Sequence, residues 1–469
     1  CIRESIAISI LLLQKNLYYE FCPLFIFSGP EGLKFVGNVP LIKRLSRERG
    51  GLHLAFSSLA EQFETSILGL QLGSDLVVVV FSEDNLAEVH LSDVFLARPD
   101  NFFTRLRTFG VRRGITITDG EVWLEQHKFA LKHLHQLGFG KVMMKSLIKE
   151  ELGYFIELSH QEIYNVFLSI VISVLNVLWT IVAGSRFSLD DPQLGRLLEL
   201  MSSRGKLPWI RFFAPEKSGY KLISSLNSQL RDFIVAEIET HKKTRTGEIR
   251  DFIDLYLSTI DDQLVAVCLD FFIAGSQTTS NTLGFALLAM VRHPDVQPKF
   301  NDVWTMLNYV SAVLLESMRT CHVVPVTGPR RATQTTTVGG YTIPEGTTVL
   351  MSVHSILNDK KRWGDPEVFR PERFLDSDGN IVNSERLYFY GRGNVFGNVR
   401  CKNRMHGEAL ARNFIFQFFT SLLYHFEFSA TPGKTLPTTP IPGITLSPQP
   451  YFVDVRPRHP AQTTEHRHG

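Results

Sequence analysis

A long helical pattern in the second half of the chain constrains the fold most. Asp262 to His293 carries apolar residues at three- and four-residue spacing, and the following Pro294 ends the pattern. The same spacing predicts further helices at Glu121 to Leu137, Leu147 to Ala183, Ser224 to Lys243, Leu307 to Arg319 and Glu408 to Tyr424. Gly184 is the predicted stop of the helix that ends at Ala183. The sequence therefore predicts a fold that is mainly α.

Short β-branched runs predict a small β region beside these helices. Leu76 to Phe81 lies between two polar turns and has the composition of a buried strand. Thr347 to Val353 follows a Pro-Glu-Gly turn and predicts a second strand. Thr335 to Thr342 is the predicted hairpin partner of that second strand.

Length alone would suggest two or three domains, but no linker rich in Pro, Gly or Ser divides the chain, and single domains of this size exist. The chain has 469 residues, 44% of them hydrophobic, which is ample for a buried core. A net charge of +2 gives no indication of nucleic-acid binding. The cysteines have no pairing pattern, which favours a reducing compartment over a disulfide framework: Cys1, Cys22, Cys268, Cys321 and Cys401.

The two ends of the chain differ from its body. The first residue is Cys1, so we expect residues to be missing before it, and Ile6 to Leu13 is an apolar run shorter than the roughly 20 residues of a membrane span. We expect residues 1–29 to be the remnant of an anchor or hinge and residues 30–455 to form a single domain. Residues 456–469 are polar and rich in histidine, which predicts a tail.

The middle of the long helical pattern contains a glycine and several hydroxyl side chains. Ala274 to Thr279 reads AGSQTT, and a glycine inside a helix costs about 1 kcal/mol relative to alanine, so it indicates a packing or functional reason. The Ser and Thr hydroxyls could serve chemistry, or could bond back to the preceding helical turn. The Gln277 amide can hold a water molecule but cannot ionise to relay a proton.

Two charged motifs lie further along the chain. Glu316 and Arg319 are three residues apart on one predicted helix face, a spacing that favours an ion pair. Phe369 to Phe374 reads FRPERF and contains Arg373. Closer to the C-terminus, Tyr390 to Arg412 reads YGRGNVFGNVRCKNRMHGEALAR.

These motifs, in this order, resemble those of the cytochrome P450 family. Tyr390, Gly391 and Gly393 match the front of the family's haem-binding signature, and Gly407 to Arg412 matches its back. Between them, Asn394 to Cys401 reads as an eight-residue insertion. The resemblance covers about residues 30–455 and is closest to microsomal, insect-type members. Further matching stretches are Gly114 to Gly120, Gly339 to Pro344 and Trp363 to Pro366.

The resemblance implies a mainly α fold of the cytochrome P450 type that binds haem b. It assigns Thr278 and Gln277 to dioxygen activation, with Ala274 and Gly275 beside the cofactor. Trp123, His127 and Arg331 would contact the haem propionates, and His127 stands where the family has Arg. Tyr390, Gly391, Gly393 and Gly407 would shape the cofactor loop. Glu316, Arg319 and Arg373 would form a buried structural triad.

Two interpretations of the iron ligand stay open. A thiolate ligand favours O–O cleavage, whereas a neutral Met thioether stabilises reduced iron. Met405 occupies the position aligned with the family's ligating Cys, and Cys401 lies four positions earlier. Cys401 either binds the iron through a refolded loop or has no haem role.

The resemblance implies a monooxygenase that inserts one atom of O2 into a lipophilic small molecule. Its electrons would come from NADPH through a cytochrome P450 reductase, at the cytosolic face of the endoplasmic reticulum membrane. The alternative is an inactive, degenerate paralogue or a defective gene product that keeps the fold. That alternative is supported by the displaced Cys and by three joints that are short against the family pattern, near Lys206, near Ile260 and at Asp302 to Leu307.

Overall fold

The secondary structure follows the helical pattern of the sequence closely. The computed structural model describes residues 27–139, 142–159, 166–188, 220–257, 263–297, 303–387, 408–443 and 445–458. The helices before residue 140 are α1 Val39–Arg49, α2 Leu52–Gln62, α3 Glu83–Leu91, α4 Phe102–Arg107 and α5 Gly120–Gln136. The next are α6 Val142–Ser159, α7 Val166–Ala183, α8 Tyr220–Thr244, α9 Phe252–Leu257 and α10 Leu264–Arg292. The last are α11 Val303–Cys321, α12 Val353–Leu357, α13 Lys360–Trp363 and α14 Glu408–His425.

One predicted helix was wrong. The pattern from Leu147 to Ala183 forms two helices, α6 and α7, instead of one. The two pack against each other, and the buried Asn176 of α7 donates a hydrogen bond of 3.2 Å to Glu151 of α6. One straight helix cannot fold back on itself in this way, so apolar spacing alone did not reveal the break. The predicted stop after Ala183 is confirmed.

The strands form three small sheets. They are β1 Ile67–Leu72, β2 Asp75–Val80, β3 Arg330–Arg331, β4 Thr336–Val338, β5 Tyr341–Ile343, β6 Thr348–Met351, β7 Phe426–Ala430 and β8 Val453–Pro457. The largest sheet has the order β1-β2-β6-β3, in which β2 and β6 are parallel. The two buried strands predicted from the sequence are therefore confirmed, as β2 and β6. Strand β8 continues two residues beyond the predicted domain end at 455.

The predicted hairpin between Thr335 to Thr342 and the β6 strand was wrong. Instead, β4 pairs with β5 through a turn at Gly339 and Gly340, both of which have positive φ angles, 54° and 83°. Two successive residues with positive φ form the tight turn that matches the twist of a hairpin. The glycine pair therefore closes a hairpin inside the segment, and β6 pairs with β2 and β3.

The chain divides into two compact units. The first unit comprises the described residues within 27–96 and 327–355, and the second comprises those within 97–326 and 356–458. The first unit contains helices α1 to α3, the four-stranded sheet and the β4–β5 hairpin. The second contains most of the helices and the β7–β8 pair. The single domain expected over residues 30–455 stays a prediction.

The core of the second unit is built around α10. Of its 29 residues, 21 are buried, which a helix achieves only when other elements cover it on nearly every side. Helices α7, α8, α11 and α14 pack against it. Trp179 of α7 packs against Phe233 of α8 and Phe272 of α10, with ring centroids 5.4 and 5.9 Å away. Within the described residues, no helix combines the length and apolar composition of a membrane span.

A buried ion pair joins the end of α8 to the start of α9. The Nε2 atom of His241 lies 2.8 Å from Asp251 Oδ2, and its Nδ1 atom lies 2.8 Å from the Glu237 carbonyl oxygen. Both ring nitrogens face acceptors, so both carry protons when the bonds are made, which is the imidazolium form. Asp254 is close by, but Arg250 donates to both of its oxygens. Paired charges thus account for this cluster without a metal.

We expect the His241–Asp251 contact to stabilise the fold more at low pH than at high pH. Burial lowers the His241 pKa, but the hydrogen bonds to Glu237 and Asp251 and the Asp251 charge outweigh it, so the pKa is raised overall. A raised pKa gives stability that is complete below about pH 6.5 and is lost as pH rises through the folded-state pKa. The loss of stability caused by His241→Gln should therefore shrink from pH 6 to pH 9.

Chemical denaturation at several pH values measures this difference. His135→Gln, at an exposed histidine of α5, is the matched control. A His241→Gln penalty that stays constant from pH 6 to pH 9 would show that the imidazolium does not form.

Candidate functional site

One accessible strip lies near the middle of α10, a helix that is buried along most of its length. Ala274 is exposed, and Phe271, Gly275 and Thr278 are half-buried. Residues three and four apart share a helix face, so these four form one continuous surface. It consists of an aromatic ring, a methyl group, a glycine and one hydroxyl. Such a surface suits a flat, mostly apolar ligand with one polar contact.

Three of the hydroxyls in this part of α10 bond along the helix itself, whereas the buried Ser276 hydroxyl has no hydrogen-bond partner among the described residues. Thr278 Oγ1 donates to the Ala274 carbonyl at 2.9 Å, and Thr282 Oγ1 donates to the Thr278 carbonyl at 2.8 Å. The back-bonded alternative considered for the sequence is thus the observed arrangement. Thr278 remains half-buried, so its hydroxyl can exchange this bond for one to a ligand. Gln277, also half-buried, adjoins it in the chain.

Helix packing explains why position 275 is a glycine. A Cβ atom at this position would lie 2.5 Å from Leu178 Cδ2 of α7, far inside van der Waals contact. The absent side chain therefore lets α7 approach α10 closely. Of the packing and functional reasons that the sequence left open for this glycine, the structure shows the packing one.

Asp270 lies one helical turn before Ala274 and holds the chain segment after α4. Its fully buried carboxylate accepts hydrogen bonds from the backbone N–H groups of Ile115 and Thr116, at 2.7 and 2.9 Å. It also accepts a bond from the Thr116 hydroxyl and an ion pair of 2.9 Å from Arg107. Sequence reasoning missed this residue. The available signal was a lone acid in an apolar helical pattern, since a buried carboxylate needs partners.

The residues predicted to bind propionates lie on two elements. Trp123 and His127 lie one turn apart on α5, both half-buried, with ring centroids 4.2 Å apart. Arg331 belongs to β3 of the first unit, where it pairs in register with Thr348. Their contact with a propionate stays a prediction. Of the signature residues, Tyr390, Gly391, Gly393, Cys401, Met405 and Gly407 lie outside the described residues.

The structure brings Glu316, Arg319 and Arg373 together in the second unit. Arg319 makes a two-pronged contact with the Glu316 carboxylate, with both N–O distances 2.8 Å. Arg373 Nε lies 3.1 Å from the same carboxylate. The side chains of Glu316 and Arg319 are 0% exposed and that of Arg373 is 7% exposed. The three charges therefore interact in a medium where an unpaired charge would be very costly.

Backbone carbonyls satisfy the remaining guanidinium donors. Arg319 donates to the carbonyls of Leu357 and Pro366, at 2.9 and 2.7 Å. Arg373 donates at 2.9 Å to the carbonyls of Trp363, Asp365 and Val368. The triad thus fixes the path of the chain from the end of α12 to the 3-10 turn Pro371–Phe374.

The joints predicted to be short are only partly visible. The third joint, at Asp302 to Leu307, coincides with the start of α11, which begins at Val303. The joints near Lys206 and Ile260 lie outside the described residues.

Comparison with known proteins gives one consistent result. A sequence model of the family described as Cytochrome P450 matches residues 27–455. The chain is 38% identical to "Probable cytochrome P450 305a1" of Drosophila melanogaster, with 91% of this chain and 93% of the relative covered. It is 33% identical to "Farnesoate epoxidase" of Bombyx mori (92% and 93% covered) and 30% identical to "Cytochrome P450 2J1" of Oryctolagus cuniculus (92% and 91%).

Removing the shared carboxylate should strongly destabilise the second unit. Glu316→Gln leaves the buried Arg319 guanidinium without a counter-charge, and Arg373 keeps only the contact of 3.0 Å with the partly exposed Asp365 carboxylate. We expect a loss of about 3–5 kcal/mol in the free energy of unfolding. Urea denaturation followed by circular dichroism measures the loss. The control is Glu48→Gln, which removes the largely exposed pair with Arg44 on α1 and should cost less than about 0.5 kcal/mol. Equal losses in the two variants would contradict the role of the triad.

Neutralising Asp270 should loosen the segment that it holds. In Asp270→Asn, one carboxylate oxygen becomes an NH2 group that faces donors, so we expect a loss of about 3 kcal/mol. Amide hydrogen exchange at Ile115 and Thr116 should accelerate, whereas the exposed-site variant Asp232→Asn should leave it unchanged. Unaltered exchange in Asp270→Asn would mean that other contacts position this segment.

Proposed function

Because the chain belongs to the cytochrome P450 family of haem monooxygenases, we propose that it is an active member that uses haem-thiolate chemistry. It inserts one atom of O2 into a lipophilic small molecule, such as a steroid, terpenoid, fatty acid or xenobiotic. The observation that carries this proposal is the accessible strip on α10, which overlaps the stretch Ala274 to Thr279 that resembles the family's dioxygen motif. The relative named for farnesoate makes that compound a reasonable first substrate to test.

The described residues fit a haem at the α10 strip. A helix with 21 buried residues exposes Ala274 and leaves Gly275 and Thr278 partly open, which offers one apolar face with a single hydroxyl. These residues would lie along the cofactor, and Trp123 and His127 would reach its propionates from α5. Cys401 would supply the thiolate. When bound, a thiolate-ligated haem supplies the reductive activation of dioxygen.

Side chains near the strip can carry protons to a ligand and can hold the neighbouring chain in place. The Thr278 hydroxyl can donate and accept a hydrogen bond, so it can hold a proton at Oγ1. The Gln277 amide can hold a water molecule but does not ionise, so protons would pass through hydroxyl and water. Asp270 fixes the Ile115–Thr116 backbone one helical turn away and thereby orders the neighbouring chain.

Electrons would come from an NADPH-dependent cytochrome P450 reductase, and the protein would act at the cytosolic face of the endoplasmic reticulum membrane. Two exposed apolar side chains of the first unit support a membrane surface as partner. Leu33 is 64% exposed and Phe35 is 72% exposed, on either side of Lys34. Nearby along the chain, α1 carries exposed basic residues, including Lys43, Arg44 and Arg47. Apolar residues next to basic ones favour an anionic lipid surface.

A second candidate function is binding without catalysis, in a degenerate paralogue that keeps the fold. The displacement of Cys401 from the aligned ligand position, now held by Met405, favours it. The buried contacts among Glu316, Arg319 and Arg373 favour the active enzyme, because they keep the structural triad that the family resemblance implies.

The absorption spectrum of the reduced protein with carbon monoxide separates these functions. An active enzyme should give a strongly red-shifted Soret band, the mark of a thiolate ligand. Cys401→Ser should abolish that shift, and Cys321→Ser, at a free and partly buried cysteine of α11, should preserve it. If the parent protein gives a Soret band typical of a neutral ligand, or takes up no haem, binding without catalysis is the function that remains.

A further inference from the structure

A groove between α6 and α14 lies apart from the α10 strip. It has a volume of about 600 Å³, which is in the range of small-molecule sites. One face of α6, from Val142 to Ile156, forms one wall, and Gln417, Ser421 and His425 of α14 form the other. None of the residues that line it belongs to the proposed haem site.

The charge of this groove is unbalanced. Lys145 and Lys149 lie one turn apart on α6 and both face the groove. In the described part of the chain neither lysine has an ion-pair or hydrogen-bond partner, and no carboxylate lines the groove. Two neighbouring ammonium groups without a counter-charge favour one anionic group between them.

The opposite wall adds neutral hydrogen-bond donors. Gln417 and Ser421 are four residues apart on α14, so the amide and the hydroxyl lie on the same face. Among the described residues neither side chain makes a hydrogen bond. A carboxylate at the lysines could therefore accept bonds from both walls.

The groove becomes apolar toward the end of α6. Leu152, Gly153 and Ile156 line it there. A Cβ atom added at Gly153 would meet no atom within 4 Å, so the space above this residue is open. From Lys149 to Ile156 the helix rises about 10 Å, enough for part of one alkyl chain. The groove thus combines a cationic part at Lys145 and Lys149 with an apolar part at Leu152, Gly153 and Ile156.

We propose that this groove is a second ligand site, which binds a free fatty acid. The carboxylate lies between Lys145 and Lys149 and receives bonds from Gln417 or Ser421, and the chain lies over Leu152, Gly153 and Ile156. A volume of about 600 Å³ suits one alkyl chain. The site does not depend on haem.

Titration of the full chain with laurate, followed by calorimetry, tests the cationic end. In the double variant Lys145→Gln/Lys149→Gln, laurate affinity should fall at least about tenfold, because two charge-assisted contacts are lost. Affinity for 1-dodecanol, which lacks the charge, should change little. The matched control is Lys128→Gln/Lys132→Gln, two exposed lysines at the same spacing on α5, and it should bind laurate like the parent.

A second variant tests the apolar end and keeps the helix. Gly153→Leu places a side chain in the open space, and leucine favours a helix more than glycine does. The affinities for laurate and for 1-dodecanol should both fall at least about tenfold, while the thermal stability of the protein is kept or raised. Unchanged affinity in both the lysine and the glycine variants would overturn the site.

Photocrosslinking with a diazirine-bearing laurate locates the ligand directly. Labelled peptides should come from residues 142–156 and 414–425. Labelling confined to the α10 strip, residues 271–278, would show that the fatty acid binds only at the proposed haem site. If vesicles with anionic lipid protect α6 and α14 from hydrogen exchange while laurate labels neither helix, a bilayer is the partner and the fatty-acid site is overturned.

Discussion

The second unit depends on a carboxylate that has no access to water. Glu316 is fully buried, so its charge has to be matched by cations inside the protein, and Arg319 and Arg373 supply them. Each guanidinium brings further N–H groups that also need partners. The carbonyls of residues 357–368 meet this need, so one buried charge determines the course of a whole irregular segment. The rigidity comes from satisfying every donor, since a half-paired network of this kind would destabilise the fold.

Helix α10 combines the roles of core and site. Most of its surface is covered by other elements, chiefly four helices, and this packing makes the accessible strip well defined. Asp270 also orders a loop. Its carboxylate accepts the backbone hydrogen bonds of Ile115 and Thr116, which lie outside any helix or strand. Functional side chains placed on a packed helix hold their positions better than side chains placed on loops.

Local sequence patterns predicted the helices and the triad well. Glu316 and Arg319 share a helix face by spacing, and the family resemblance supplied Arg373 as their distant partner. Contacts between segments were harder to predict. Apolar spacing ran through the boundary between α6 and α7, and the Gly339–Gly340 turn competed with the expected pairing of β6. The neighbours of Asp270 were hidden because they lie more than 150 positions away along the chain.

The contact between Gly275 and Leu178 has a consequence for how this protein can change over time. A side chain at position 275 would occupy the space that is now filled by a methyl group of Leu178. A side chain at position 275 is compatible with the present helix spacing only if the Leu178 side chain turns away or residue 178 becomes smaller. Variation at these two positions should therefore be correlated, although they lie on different helices. The surface offered beside Ala274 is in this way linked to the packing of α7.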